Sequence, residues 1–365
     1  MKATGAPLTG IRILEFAGLG PAPYGGMLLA DLGANVLRIE RRGLAADMFA
    51  AASAAMDRGK RSLGLDLKDA SAIDLCLRIV EKADVLIEGF RPGVMERLGL
   101  GPKVALHRNP RLIYARMTGW GQDGPLAKTA GHDLTFIALT GALAAIGPAE
   151  GPPVPPLNLV GDMGGGGTFL VIGILAALLE REKSGRGQVI DAAIVDGVAS
   201  QLAFVLGLRS GDQWSAARGQ NVIDGGLPFY RVYVCADGKC VAVGALEPKF
   251  FAELTRGLGL DPVLYLPRQY DRAEWPALHR EFEEIFARKP RDEWAALFEG
   301  SDACLVPVLG FEEAARHPHN AARSTFIEKQ GALQPSPAPR FSRTRTSPAD
   351  ASGNGEAALK EWGVT

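Results

Sequence analysis

Short apolar segments alternate with longer segments of helical periodicity along the first 125 residues of the chain. The pattern predicts strands at residues 11–17, 35–40, 84–88 and 111–116, with a further possible strand at 62–66. Helices are predicted between them at residues 24–32 and 69–82, the second with Asp69 as its N-cap. Apolar strands separated by helices are typical of a parallel sheet covered on both faces, so the predicted fold class is α/β.

A long apolar helix is predicted over residues 162–181, with Asp162 at its start and four consecutive glycines at positions 164–167. A strand at 188–193 and a helix at 194–208 follow. Asp162 alone would be explained as a helix N-cap. One cap does not require four glycines, however, and residues without side chains allow the close approach of a ligand or of another backbone.

The pattern changes after residue 220. Residues 232–243 predict a β-hairpin with Asp237-Gly238 as its turn, and helices follow at 247–257, 274–287 and 292–299. A chain of 365 residues is also too long for one ordinary core. The predicted organisation is a large parallel-sheet domain at 1–190, linker helices at 191–224, a small α+β domain at 225–325 and a C-terminal strap at 326–365 that returns to the large domain.

Composition narrows the function classes. The chain has 40 basic and 41 acidic residues, which argues against a general nucleic-acid or membrane-surface binder. No run of 18 apolar residues and no signal-peptide layout over residues 1–9 is recognised, so no membrane association and a cytoplasmic location are expected. The spacing of the four cysteines suits neither a disulfide framework nor a metal site.

Basic residues cluster near successive predicted strand ends: Arg38, Arg41 and Arg42; Arg58, Lys60, Arg61 and Lys68; Arg91 and Arg97. Any one cluster is more simply a solvated face. Three clusters near the strand ends of a doubly wound sheet indicate a polyphosphate site. A nicotinamide site is disfavoured, because Pro23 stands where the glycine-rich dinucleotide fingerprint, begun at Gly18 and Gly20, requires its third glycine.

Four ionisable residues stand at three predicted helix starts. His132 and Asp133 follow Gly131 at the start of an apolar helix, Asp162 precedes the glycine run, and Glu247 precedes Pro248. Taken singly, each is explained equally well as a capping or packing residue.

Taken together, several segments resemble the α-methylacyl-CoA racemases, within the family III CoA-transferases. The resemblance runs from Leu8 to about Arg343. The segments that carry it are residues 30–34, 89–94, 111–116, 131–133, 157–162, 221–226 and 301–304. It implies a Rossmann-like large domain, a small domain and an interlocked homodimer. The active site would lie between the large domain of one chain and the small domain of the other. The substrate would be an acyl-CoA, so no separate cofactor and no metal are expected.

By the same resemblance, His132 and Asp162 are the acid/base pair on opposite faces of C2, and Glu247 partners the histidine. The backbone N–H of Asp133 would stabilise an enolate oxygen. The implied CoA contacts are Arg41, Leu65, Asp66, Leu67, Lys68, Gly89, Phe90, Arg91, Arg97, Gly131, Leu134, Thr135 and Phe136.

Two features depart from the racemase pattern. Phe136 stands where many racemases have tyrosine, so a hydroxyl contact is absent there. The wall that faces the acyl chain is often rich in methionine, whereas this chain offers Phe204, Val205, Leu208 and Val222. Stiffer side chains adapt less well than methionine, so the preferred acyl chain can differ. Branched fatty acids, bile-acid side chains and sterol side chains all remain open as substrates.

Two other functions are compatible with the same residues. In the CoA-transferase branch, the aspartate at the position of Asp162 is a covalent nucleophile. His132 argues against that branch, which lacks the Gly-His-Asp signature. The third possibility is an acyl-CoA binding protein without catalysis, which would have no use for three ionisable groups around C2.

Overall fold

The computed structural model describes residues 5–41, 49–215, 217–329, 331–346 and 354–364. Arg42, part of the first basic cluster, and residues 330, 347–353 and 365 of the predicted strap lie outside them. The strands are β1 (Arg12–Phe16), β2 (Asn35–Arg41), β3 (Lys60–Leu65), β4 (Val85–Glu88), β5 (Ile113–Thr118), β6 (Gln188–Ala193), β7 (Tyr230–Val234), β8 (Cys240–Gly244), β9 (Leu305–Pro307), β10 (Phe326–Lys329) and β11 (Ala332–Pro335).

The α-helices are α1 (Pro21–Asp31), α2 (Ala50–Met56), α3 (Ala70–Val80), α4 (Val94–Arg97), α5 (Pro102–Arg108), α6 (Asp133–Leu139), α7 (Phe169–Ser184), α8 (Ile194–Gln201), α9 (Ala203–Ser210), α10 (Pro248–Gly257), α11 (Pro262–Tyr265), α12 (Trp275–Phe286), α13 (Arg291–Leu297), α14 (Phe311–Arg316), α15 (Pro318–Ala322) and α16 (Gly355–Trp362). A π-helix spans Leu159–Thr168, and short 3₁₀ turns occupy Leu143–Ala145 and Leu266–Arg268.

The chain forms two compact units. Unit 1 comprises Met1–Ala142, Pro156–Leu202 and Ser324–Thr365; unit 2 comprises Leu143–Pro155 and Ala203–Arg323. These bounds differ from the predicted domains. Residues 191–202 belong with the parallel sheet rather than with a linker. Residues 143–155 belong to unit 2, where Arg218 hydrogen-bonds the carbonyls of Ala144, Pro148 and Gly151. A contact between segments so far apart in sequence leaves no local pattern.

Unit 1 is built on a parallel six-stranded sheet, as predicted. The strand order is β3-β2-β1-β4-β5-β6, with Leu14 of β1 aligned to Leu37 of β2 on one side and to Leu86 of β4 on the other. This is the order of a Rossmann-type doubly wound sheet. The order reverses between β1 and β4, where the loops leaving adjacent strands diverge and open a crevice at their carboxyl ends.

Both faces of this sheet are covered. On one face, Leu14, Leu37 and Tyr114 form a core with residues of α3 and α5. Ala358 and Trp362 of α16 are buried in the same core. The C-terminal segment is therefore more than an extended strap: β10 and β11 pair in an antiparallel hairpin, and α16 covers part of the sheet with its apolar side.

The glycine run lies inside the π-helix, and neighbouring helices occupy the space that side chains would take. A Cβ on Gly165 would lie 2.9 Å from the backbone nitrogen of Val198 in α8, and one on Gly167 would lie 2.7 Å from the carbonyl oxygen of Pro21 in α1. The four glycines thus allow the π-helix to lie directly against α1 and α8. The sequence pattern alone suggested Asp162 as the N-cap of this helix. The helix begins earlier, however, and Asn158 is its N-cap.

Within the described residues, Leu159–Ser184 is a helical segment long and apolar enough to cross a membrane by length and composition. Its most apolar 18-residue window has a mean hydropathy of 1.7, although the segment contains no uninterrupted run of 18 apolar residues. A core helix meets the same criterion, and 44% of the window is buried.

Unit 2 has its own core around the antiparallel sheet β7-β8-β9. The hairpin β7–β8 turns through Gly238 in the left-handed region, as the Asp-Gly sequence predicted. Phe229, Phe251 and Phe282 are completely buried between the sheet, α10 and α12. This core fixes the start of α10, which carries Glu247.

Candidate active site

A cleft of about 410 Å³ opens in unit 1 where the strand order reverses. Its walls are the segments that follow β1, β4 and β5, together with residues of the segment before α6, the π-helix and α8. The lining residues are Leu19, Gly20, Pro21, Ala22, Gly89, Phe90, Arg91, Pro92, Met117, Thr118, Gly119, Trp120, Ala127, Thr129, Ala130, Gly131, His132, Phe136, Asp162 and Ile194. His132 and Asp162, 30 positions apart in the sequence, therefore face the same space.

His132 is the N-cap of α6, and its backbone is extended (φ −136°, ψ 167°). Its N–H donates to the Thr135 hydroxyl oxygen at 3.0 Å, and that hydroxyl donates back to the His132 carbonyl at 2.7 Å. These bonds hold the main chain while the imidazole remains exposed on the cleft. In the first turn of α6 the Thr135 N–H donates to the His132 carbonyl at 2.8 Å, whereas the N–H groups of Asp133 and Leu134 have no acceptor within the helix and can serve a ligand oxygen.

Asp162 is held from two sides. Its N–H donates to Oδ1 of Asp133 at 2.6 Å, and Gly20 lies against its carboxylate. A Cβ on Gly20 would come within 2.9 Å of Oδ2 of Asp162, and the φ of 67° at Gly20 also favours glycine. The Gly18–Gly20 segment does not complete a dinucleotide fingerprint, but the absence of a side chain at Gly20 leaves space for the Asp162 carboxylate.

The environment of Asp162 suits proton transfer near neutral pH. Burial and, to a smaller extent, the negative charge of Asp133 raise the pKa of Asp162 to about 6, although His132 and a hydrogen bond from Asn158 oppose the rise. A carboxyl group with such a pKa can both accept and return a proton at working pH.

Asp133 does not line the cleft, but its side chain anchors the start of the π-helix, whose Asp162 does. Burial raises the pKa of Asp133, and hydrogen bonds from the backbone of Asp162 and Gly161 lower it. The sequence pointed to Asp133 only through its backbone N–H. The Asp133 carboxylate has a second effect: it accepts the N–H of Asp162 and places a negative charge beside the Asp162 carboxyl group.

We expect Asp133→Asn to shift the pH profile of any reaction in which Asp162 is the base. The amide oxygen can still accept the N–H of Asp162, but the negative charge is gone, so the pKa of Asp162 falls toward its ordinary value. Because Asp162 must be ionised to act as a base, the acid limb of kcat/KM moves to lower pH. The pH dependence measured separately for each epimer tests this, and an unmoved limb contradicts it.

Glu247 belongs to unit 2, where it is the N-cap of α10 ahead of Pro248. Cys304 and Tyr270 lie within its electrostatic reach. Burial raises the pKa of both groups, and the Glu247 carboxylate raises it further. The start of α10 is fixed by Tyr270 and Gln269, which donate hydrogen bonds to the Leu246 carbonyl at 2.7 and 2.9 Å.

The predicted CoA contacts divide into three groups. Gly89, Phe90, Arg91, Gly131 and Phe136 line the cleft beside His132 and Asp162. Leu134 and Thr135 are exposed in the first turn of α6, outside the lining. Arg41, Asp66, Leu67, Lys68 and Arg97 also lie outside the lining, at or just beyond the carboxyl ends of β2, β3 and β4.

Leu65 needs a correction, because its side chain is packed in the sheet's hydrophobic core at 9% exposure.

Fewer residues of the basic clusters are available to a ligand than the sequence indicated, because four of them form ion pairs within unit 1. Arg58 pairs with Asp31 at 2.5 Å, Lys60 with Glu15 at 2.8 Å and Arg61 with Glu361 at 2.7 Å. Arg38 likewise pairs with Glu40 and Asp57. Assigning these four to a polyphosphate site was wrong, because carboxylates of unit 1 neutralise them.

Among the residues of the three basic clusters that the structure describes, four form no ion pair: Arg41, Lys68, Arg91 and Arg97. All four belong to the predicted CoA set, and they lie at or beyond the carboxyl ends of β2, β3 and β4. They remain the available anion-binding groups at this edge of the sheet.

The sequence reasoning missed the apolar wall of the cleft. The Trp120 ring meets Phe136 edge-on with ring centroids 4.7 Å apart, and Phe136 lies directly over Gly119 and Gly131. Met117 to Trp120 were not singled out, and Leu19 to Ala22 were considered only as part of an incomplete dinucleotide fingerprint. Their position just after predicted strand ends was the signal that could have identified them.

The described residues contain no group of three or more side chains suited to hold a metal ion. The fold and the cleft define an α/β protein in which a histidine and an aspartate face one cleft, at the point where the strand order of a doubly wound sheet reverses.

The family model for CoA-transferase family III matches residues 8–354, and the chain belongs to this family. It is 49% identical over 342 residues to the mouse (Mus musculus) protein named alpha-methylacyl-CoA racemase, covering 93% of this chain and 88% of that one. The human (Homo sapiens) protein of the same name is 45% identical with the same coverage. A CaiB/BaiF family protein from Brucella suis superposes with a TM-score of 0.82 at 27% identity, covering 98% of this chain and 100% of that one.

Proposed function

We propose that this protein inverts the configuration at C2 of 2-methylacyl-CoA thioesters, as an α-methylacyl-CoA racemase. The identity of 45–49% to two proteins of that name, over 93% of the chain, supports the activity. The observation in the structure that carries the proposal is the placement of His132 and Asp162 on one cleft, with the pKa of Asp162 raised to about 6.

The proposed chemistry needs one proton acceptor and one proton donor on opposite faces of C2. Removal of the C2 proton gives an enolate, which the thioester carbonyl stabilises by delocalisation. For one epimer of the substrate, His132 removes the C2 proton and Asp162 delivers a proton to the opposite face. For the other epimer, the two residues exchange roles. The N–H of Asp133 at the start of α6 donates to the enolate oxygen, a contribution of roughly 3 kcal/mol for one such donor.

The CoA portion is held in this proposal by the four unpaired cations. Arg91 lies in the cleft itself, and Arg41, Lys68 and Arg97 extend the positive charge along the same sheet edge. Charge-assisted hydrogen bonds to phosphate are among the stronger polar contacts in proteins. The pantetheine arm then runs toward Gly131 and His132 past Gly89 and Phe90.

We further propose that the enzyme is a homodimer in which Glu247 of one subunit orients His132 of the other. A carboxylate beside a catalytic histidine holds the imidazole in one orientation and supports its charged form. The fixed start of α10, with Glu247 at its cap, suits that role. CoA is part of the substrate here, and the proposed chemistry uses no further cofactor.

The activity is tested by incubating the protein with (2R)-2-methylacyl-CoA in deuterated water and following C2 by NMR. The proposal expects deuterium at C2 together with the appearance of the 2S epimer. Transfer of CoA to an added free acid, without exchange at C2, would instead establish a transferase with Asp162 as nucleophile. Binding without either reaction would reduce the protein to an acyl-CoA binder.

A further inference from the structure

A buried arginine joins two carboxylates on either side of the segment that carries Arg91. Arg116 in β5 is 6% exposed, and its Nε donates to Oε1 of Glu88 at 2.9 Å. Its two terminal nitrogens donate to the two carboxylate oxygens of Glu96 at 2.8 and 3.2 Å. Glu88 is the last residue of β4 and Glu96 lies in α4, so Arg116 ties together both ends of the intervening segment.

The same network reaches the middle of that segment. Oε2 of Glu88 accepts the N–H of Phe90 at 2.8 Å, and Gly93 turns through the left-handed region (φ 84°) to begin α4. Residues 89–92 in between line the cleft. The segment is therefore held at its start by Glu88, at its second residue by the Phe90 N–H and at its end by Glu96.

Removing these charged groups from water costs free energy, and their arrangement provides the backbone with fixed contacts in return. Burial raises the pKa of Glu88, whereas the Phe90 N–H and Arg116 lower it. Partial burial also acts to raise the pKa of Glu96, but the hydrogen bonds and charge of Arg116, together with hydrogen bonds from the backbone of Glu96 and Gly93, outweigh it and lower that pKa. A buried ion network is often no more stabilising than apolar packing of the same volume. What this one does provide is a fixed path for the backbone from Gly89 to Gly93.

We infer that Glu88, Arg116 and Glu96 form a clamp that positions Arg91 for the phosphates of CoA. These are positioning residues, since none of them lines the cleft. The inference rests on the proposed function in one respect, namely that Arg91 binds CoA. The clamp orders the free protein in advance, so its loss weakens binding of CoA without changing the proton-transfer step at His132 and Asp162.

The test is Glu96→Gln, which removes the half-exposed end of the clamp and leaves the buried Glu88–Arg116 pair. We expect the Kd for free coenzyme A, measured by calorimetry, and the KM for 2-methylacyl-CoA each to rise about tenfold, with kcat unchanged within about twofold. Arg116→Lys is the second variant, because a lysine cannot bridge two carboxylates with a planar fork, and it should give the same division between KM and kcat.

A double-mutant cycle with Arg91→Ala makes the test specific. If the clamp acts through Arg91, Glu96→Gln should have no further effect in the Arg91→Ala background. Glu313→Gln is the matched control: Arg291 is 4% exposed and donates two hydrogen bonds of 2.9 Å to Glu313 within unit 2, where no residue lines the cleft. That variant should leave the Kd for coenzyme A unchanged.

The outcomes separate the clamp from the proposed function. Unchanged CoA affinity in both Glu96→Gln and Arg116→Lys, or equal losses with and without Arg91, would overturn the clamp while leaving the racemase proposal intact. An equal loss of affinity for coenzyme A in Glu313→Gln would show that general destabilisation, and not the clamp, causes the effect. A wild-type protein that binds no coenzyme A would contradict the proposed function itself.

Discussion

Replacing either member of the proposed acid–base pair should strongly impair racemisation yet leave hydrogen exchange on one face of the substrate. In His132→Ala, Asp162 can still remove and return a proton on its own face, so one epimer of 2-methylacyl-CoA should incorporate deuterium with retention of configuration. Asp162→Asn should do the same for the opposite epimer. Racemisation itself should fall by about 10²–10⁴-fold, the usual contribution of a positioned acid or base.

The measurement combines NMR at C2 in deuterated water with chiral analysis of the hydrolysed acids. His107→Ala provides the control, because His107 is exposed on α5 and does not line the cleft. It should racemise as the wild type does. Full racemisation by His132→Ala, or loss of exchange from both epimers in a single variant, would exclude two bases on opposite faces.

The largest effect on stability is expected from Gly197→Ala in α8. A Cβ at this position would overlap the carbonyl oxygen of Gly165 in the π-helix, so the two helices must separate. Overpacking of this kind costs about 3 kcal/mol of unfolding free energy, and backbone that cannot yield raises the cost. Racemase activity should fall as well, because the same π-helix carries Asp162.

Gly207→Ala is the matched control for this substitution. Gly207 is also helical, in α9, but no heavy atom lies within 4 Å of its added Cβ. Alanine should therefore be neutral there or stabilise the helix by up to about 1 kcal/mol. Urea denaturation followed by circular dichroism compares the two, and equal midpoints would show that α8 and the π-helix are not closely packed.

Much of the fold could be predicted from local pattern. Strands such as β1 and β4 are short and apolar with helices between them, and periodicity alone separates such elements. The resemblance to the family III CoA-transferases, confirmed by the family match over residues 8–354, implied the Rossmann-like core. The pattern failed at the π-helix, whose glycines are explained by two helices that the local sequence does not reveal.

For the candidate site, the sequence predicted the residues of the cleft better than it predicted the basic residues available to a ligand. His132, Asp162 and Gly131 were named in advance and lie on one cleft. The basic clusters were overcounted, since charge alone does not reveal whether a cation has a carboxylate partner. Arg61, for example, pairs with Glu361, 300 positions later in the chain.

By itself, the sequence determined the residue types, their order and the local periods, and from these the parallel sheet, the family and the acid–base candidates follow. Only the tertiary structure decided which charges are neutralised within the protein and which remain for a ligand. It also showed that Asp133 anchors and charges the surroundings of Asp162, and that Arg116 ties Glu88 to Glu96. The physical reason is that ion pairing and desolvation depend on distances across the fold, whereas periodicity depends only on neighbours along the chain.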